Sequence, residues 1–295
     1  MASQPQGPQI RGHDAAQVMR PARALIGWMA APEAQLVLAG RRIDRADLPE
    51  FAVRGAGARA AVAARGKGCD QDGAVIDLGP ELDDHLGQLR VSQSAHSYFA
   101  EGWTVKVVDL AKVCALQPVV FSDHAEERAA VADRANIASL ASITLPLPSS
   151  TGLPAQYDAG QNTWMIASRN PNLRLVGNFS GELQPGAIGF GFIVSMLASY
   201  VQVARFRGRY VLRDGYHRSL GLLMRGIREV PVFVRDYSQF EDLGLAQGML
   251  SQAAYLGEQP PMLMDYLNDD VSAAVTLPAS QKMIVIHGME INPLG

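Results

Sequence analysis

Excess charge of either sign is missing from this 295-residue chain, whose net charge is −3 with a pI near 6.1. Bulk electrostatics therefore offer nucleic acid no general attraction, and DNA association is not indicated by charge. Cysteine is scarce: Cys69 and Cys114 stand far apart and in no metal-ligand spacing. That argues against a disulfide scaffold and suits free thiols in a reducing compartment. The segment Met1–Gln6 has no basic stretch leading into an apolar core, so no secretory signal is expected, and the expected location is cytoplasmic. No internal repeat is present. No Gly-rich loop ends in a phosphate-binding lysine, and the Gly189-Phe190-Gly191 pair runs on into hydrophobic residues. One long uncharged run, Leu183–Ala204, approaches the length of a membrane span, but Pro185, Gly186, Gly189, Gly191, Ser195, Ser199 and Gln202 interrupt it. It reads as a buried helix feeding a strand, and no membrane partner is expected.

What is present is a chain long enough for one large domain or two modest ones. Residues 1–22 read as loose, Gln35–Gly40 as a short strand, and Ala58–Arg65 as a helix broken by Gly66-Lys67-Gly68. Ala74–Leu78 reads as a strand and Glu81–Leu89 as a helix with Leu82, Leu86 and Leu89 on one face. Thr104–Leu110 is a strong strand pattern, and Asp123 is placed to cap a helix running through Glu126, Val131 and Ile137. Ser142–Leu147, Trp164–Ala167, Leu173–Val176 and Met283–His287 read as strands, residues 148–162 as a loop, and the stretch with Phe240, Leu243 and Met249 as a polar helix. Trp103 and Trp164 read as core; His124, Asp265, Asp269 and Asp270 read as surface, and His287 as a structural residue. This order suggests a mixed α/β (α+β) domain.

The chemistry concentrates between Tyr200 and Val234. Tyr200–Phe206 reads as a strand, Arg207-Gly208 as a two-residue turn and Arg209–Asp214 as the returning strand. Arg205, Arg207, Arg209 and Arg213 read as the solvent face of that hairpin. Then comes a polar elbow, Asp214-Gly215-Tyr216-His217-Arg218. Gly215 lets the backbone bend sharply. Leu220, Leu223 and Met224 follow at helical spacing, Gly226 closes the helix, and Val230–Val234 is a buried strand. Such a corner aims the first N–H groups and the positive end of a helix into open space. With His217 and Arg218 in that first turn it reads as an anion pocket, best suited to phosphate. The plain alternative is a structural pair that caps the helix. Asp214 divides evenly between N-cap and chemistry.

The segment Gly208–Val234, with its DGYHR motif, resembles the ParB/sulfiredoxin-like superfamily. Its letters are nearest to the DGHHR and DGQHR forms of free-serine kinases and DNA-modification-associated proteins. Val105–Pro118 resembles that superfamily's opening strand. The resemblance spans Val105–Phe240 and implies a ParB/sulfiredoxin-like nucleotide-binding domain at 101–240. Residues 1–100 would be an N-terminal elaboration and 241–295 a C-terminal extension packing on the domain. It implies a nucleotide, ATP/ADP or CTP, with phosphates at the elbow and Mg²⁺ as companion. Gly215 would give close approach, His217, Arg218 and Ser219 would hold phosphate, and Asp214 would bind metal or accept a proton. Glu126, in the acidic cluster Asp123–Arg128, would assist as a catalytic carboxylate, although a solvated helix start with its acids favoured by the dipole is the preferred reading of that cluster. The implied activity is NTP hydrolysis or phosphate transfer to a small-molecule or protein hydroxyl; the alternative is a nucleotide-gated regulatory or DNA-associated module without turnover. Two departures matter. Tyr216 stands where sulfiredoxin needs its cysteine, and residues 241–295 contain no helix-turn-helix pair of the kind that follows this domain in ParB.

Overall fold

Val230–Val234 is buried throughout, as a strand needs to be when both faces of its sheet are covered. In the computed structural model, which describes residues 18–148, 153, 155–168, 172–279 and 282–287, this run forms the centre of the fold. In chain order the elements are β1 (Met19–Ala24), α1 (Ala31–Leu38), α2 (Pro49–Ala63), β2 (Val75–Ile76), α3 (Asp83–Val91), α4 (Gln93–Ala100), β3 (Thr104–Asp109), β4 (Val119–Phe121), α5 (Ser122–Ala129), α6 (Ile137–Thr144), β5 (Ala155–Asp158), β6 (Thr163–Ser168), β7 (Leu173–Gln184), β8 (Ala187–Met196), β9 (Gln202–Phe206), β10 (Arg209–Asp214), α7 (Tyr216–Met224), β11 (Glu229–Tyr237), α8 (Gln252–Leu256), β12 (Ala273–Pro278) and β13 (Lys282–His287). The protein is mixed α/β.

The main sheet has the order β10-β9-β11-β3-β2. Its β9–β11 pair is parallel, joined by a crossover through β10 and α7, while β3 runs antiparallel to β11. Pro231 lacks an N–H, and it lies where β11 is paired with β3 alone, because β9 reaches only Phe233–Tyr237. A second sheet, β12-β1-β4, joins Met19–Ala24 to Ala273–Pro278 on one side and Val119–Phe121 on the other. The β7–β8 hairpin and the β13-β6-β5 sheet are separate sheets.

One core cluster runs from Ala22 to Leu277, and a smaller one packs Leu82, Leu86 and Leu89 against Trp103, Tyr200 and Phe233. Segments from the ranges 1–100, 101–240 and 241–295 thus share a core.

Several elements differ from the sequence reading. Residues 1–17 lie outside the described residues, but Met19–Ala24 is a strand paired on both sides. Gln35–Gly40 falls in and just after α1, where Pro32 opens the helix and Ala34 and Val37 are buried at helical spacing. Ala74–Leu78 keeps only two strand residues. Asp123 is not at the N-cap position, since α5 starts at Ser122; its carboxylate accepts from the first-turn His124 N at 2.7 Å and from Arg20 Nε at 2.7 Å. That helix ends at Ala129, leaving Val131 exposed, and Ile137 opens α6 under an Asn136 cap. Ser142–Thr144 finishes α6, so no strand forms there. In the 148–162 stretch, 149–152 and 154 lie outside the described residues, and Ala155–Asp158 is a strand on β6.

Leu183–Ala204 contains no helix. Gly186, at φ 80°, turns β7 into β8, and the two strands pair along their length from Leu173↔Met196 to Gln184↔Ala187. No helix among the described residues is long and apolar enough to cross a membrane. After β11 only a 3₁₀ turn, Glu241–Leu243, forms before Gly244 at φ 58°. Trp103 is core as expected, whereas Trp164 is half exposed. Asp265 is buried against Arg65 at 2.8 Å, and Asp269 binds Arg23. The side chain of His287 lies outside the described residues.

Candidate functional site

The elbow is assembled by the hairpin before it and the helix beside it. Arg207 and Gly208 adopt φ of 49° and 78°, the left-handed pair that joins β9 to β10 with the twist of a tight hairpin. The turn brings β10 back along β9 and delivers Asp214 beside Gln202. Gly215 then takes φ 97°, and a Cβ there would stand 2.7 Å from Val201 Cγ2; glycine alone fits. Tyr216, the third letter of the motif, is structural. Its hydroxyl accepts from Leu116 N at 2.9 Å and donates to Leu212 O at 2.6 Å, tying the helix start to the strand before it. At Gly221 a Cβ would sit 2.0 Å from Ala125 O, so α7 and α5 meet at backbone contact.

That close approach places the α5 side chains on the first turn of α7. The His124 and His217 rings lie 4.6 Å apart, and Phe121 stacks parallel to His217 at 6.4 Å. Arg128 Nε donates to His124 Nε2 at 3.0 Å, and Arg20 reaches across from β1 to Asp123. His124, expected at the surface, is half-buried. Burial holds His217 down at about 4, with His124, Arg128, Arg20 and Arg218 pushing the same way. At neutral pH the ring is uncharged in a cationic neighbourhood. His217 Nε2 and Ser219 Oγ are both buried without a hydrogen-bond partner. The N-terminus of α7 has no side-chain cap.

The other named residues are placed differently. Arg218 turns its guanidinium into the fold, where Nη1 donates to Ile143 O at 3.1 Å and to Ser199 O, and Nη2 to Ser199 Oγ. Burial lowers it to about 10 against the opposing pull of Asp214, so it remains charged. Asp214 is exposed; Oδ1 accepts from Gly215 N at 2.6 Å and Oδ2 from Ser199 Oγ at 3.4 Å. Glu126 is exposed on α5. Of the four hairpin arginines, Arg209 and Arg213 are clamps, donating to Tyr255 O and Leu243 O, while Arg205 and Arg207 lie over Tyr210 and Phe206.

The elbow therefore unites Gly215, His217, Arg218 and Ser219, with Asp214 on its rim. The sequence reading missed Arg20, Arg128 and the closeness of His124; Arg20 is far away in the chain and carries no motif. Two cavities, about 460 and 830 Å³, lie elsewhere: one between β1, α1 and β12, the other where the start of α6 meets the end of α7. Among the described residues no three His, Cys, Asp or Glu side chains form a metal-binding group. No family model matches the chain, and neither does any curated protein or solved structure with which it was compared.

Proposed function

We propose that the Gly215 elbow binds the phosphate groups of a nucleotide, ATP/ADP or CTP, and that binding rather than turnover is its main work. The carrying observation is the pair of unpartnered buried atoms, His217 Nε2 and Ser219 Oγ, in the first turn of an uncapped helix among Arg20, Arg128 and Arg218. A buried polar atom without a partner is costly, and a ligand oxygen in front of the helix would satisfy it. An anion at a helix N-terminus would supply acceptors to both the amides and these side chains. The DGYHR resemblance to the ParB/sulfiredoxin-like superfamily points the same way. Arg218, already committed to Ile143 and Ser199, would act by charge and by bracing the corner.

Two features favour a gated binder over a phosphotransferase. A histidine held at about 4 is a weak base at neutral pH. Asp214 is already engaged by Gly215 N and Ser199 Oγ. It can still lend one oxygen to Mg²⁺, whose other ligands would be phosphates and water. NTP hydrolysis or transfer to a hydroxyl acceptor is the rival reading, and DNA association would be the output of a gated module.

The test is a thermal-shift panel of ATP, ADP, CTP and GTP with Mg²⁺, run on the wild type and on Ser219→Ala. A nucleotide at a hundred times its Kd adds about 2.7 kcal/mol of stability. Ser219→Ala removes an unsatisfied hydroxyl, so the apo variant should be as stable as the wild type or slightly more so, and should lose most of the nucleotide shift. An undiminished shift would remove the elbow from the site. Phosphate release measured on the same samples separates turnover from gating.

A further inference from the structure

Three sulfur atoms from distant parts of the chain meet beside β10. Cys69 Sγ lies 3.5 Å from Met262 Sδ, and Cys114 Sγ lies 3.8 Å from the same atom. The two thiols also act on each other, Cys69 being drawn down and Cys114 pushed up by the contact. The backbone holds the group in place. Cys114 bridges to both Val211 and Met262, with Cys114 N donating to Tyr210 O and Leu212 N donating to Cys114 O, each at 2.9 Å. The Cys69 loop is pinned by Gly68 N on Glu258 O at 2.9 Å. Gln71 braces the other side, its Nε2 donating to Lys112 O at 2.7 Å and to Tyr210 O at 3.0 Å, and reaching Cys114 Sγ at 3.7 Å.

We propose that Cys69, Cys114 and Met262 form a three-coordinate site for a soft monovalent metal ion, copper(I). The spacing fits: three sulfurs bonded at about 2.3 Å to one ion in a trigonal plane stand about 4 Å from each other, close to the two separations from Met262 Sδ. Thiolate and thioether sulfur together select copper(I) over harder ions, and a thioether with no fourth ligand is a poor set for zinc. Binding releases the two thiol protons to solvent and leaves a complex of net charge −1. Arg209, held by Tyr255 O and Gly257 O, is the cation within electrostatic reach of both cysteines, opposed by Asp265. Cys114 is fully buried and Cys69 only partly so, which gives an ion an approach from the Cys69 side. Gln71 is the outer donor that orients a ligating sulfur.

The test is anaerobic competition for copper(I) between the full chain and the chromogenic chelator bicinchoninate. The wild type should withdraw one ion per chain and show a thiolate-to-copper band in the near ultraviolet. Cys69→Ser should weaken the competition more than about 100-fold and Met262→Leu about 10-fold. Both sites lie at the edge of the core, and an unchanged Tm shows that the variants fold. Failure of the wild type to withdraw copper, equal competition by Cys69→Ser, or preference for zinc(II) over copper(I) overturns the assignment. So does a pair of thiols that closes to a disulfide in air yet takes no copper under nitrogen.

Discussion

His217 shows how one side chain can tie stability to pH. Burial, then the charges of His124, Arg128, Arg20 and Arg218, depress its folded pKa to about 4, below the ordinary 6.5. Between those values the unfolded chain binds the proton and the folded chain does not. Stability is therefore full above about pH 6.5, declines as pH falls toward 4, and levels off below. The loss is on the order of 3 kcal/mol. Urea denaturation across that range should show the decline in the wild type and a smaller one in His217→Gln. His124, also depressed, supplies the remainder. A bound phosphate would raise the His217 pKa, so saturating nucleotide should flatten the profile. The sequence places Gly215, His217 and Ser219 together because they are neighbours in the chain. They carried no trace of Arg20, which reaches the cluster only because β1 pairs with β4.

At the scale of elements, the contact between α5 and α7 decides the geometry of the elbow. Gly221 is the point of closest approach, and its Cβ would stand 2.0 Å from a carbonyl oxygen and 2.9 Å from Ala129 Cβ. Gly221→Ala should gain slightly in helix propensity, yet the clash with backbone cannot relax by a rotamer change. A net loss of about 2–4 kcal/mol in equilibrium unfolding is expected; a stabilised variant would show that the helices slide freely. Strands β3, β10 and β11 were legible because β-branched runs and a glycine-marked turn coincide there. The Leu183–Ala204 run was not, since uncharged residues suit a buried helix or a long hairpin equally and only strand pairing decides. The helix α1 failed in the opposite sense: its short apolar stretch carries no period of its own, and the Pro32 start was the overlooked signal.

At the scale of the whole molecule, β1 and β12, far apart in the sequence, close the fold. β1 lies between β12 and β4, and Ala22, Ala24, Leu25 and Ile26 are in the same core cluster as Val203, Leu220 and Val275. The fragment 101–240 should consequently lack cooperative thermal unfolding and show little near-ultraviolet circular dichroism. A fragment that melts as sharply as the full chain would mean that the elbow domain stands alone.

From the amino-acid order alone came the mixed α/β character, the hairpin with its glycine turn, the corner at Gly215 and the cation-bearing first turn of α7. These are local: each depends on residues a few positions apart, whose steric and hydrogen-bonding preferences act before any tertiary contact forms. Only the folded arrangement decided that Arg218 faces inward, that His124 and Arg128 join His217, and that Cys69, Cys114 and Met262 converge. Those outcomes depend on which segments desolvate against each other across long chain separations, and burial of that kind leaves no spacing in the sequence to read.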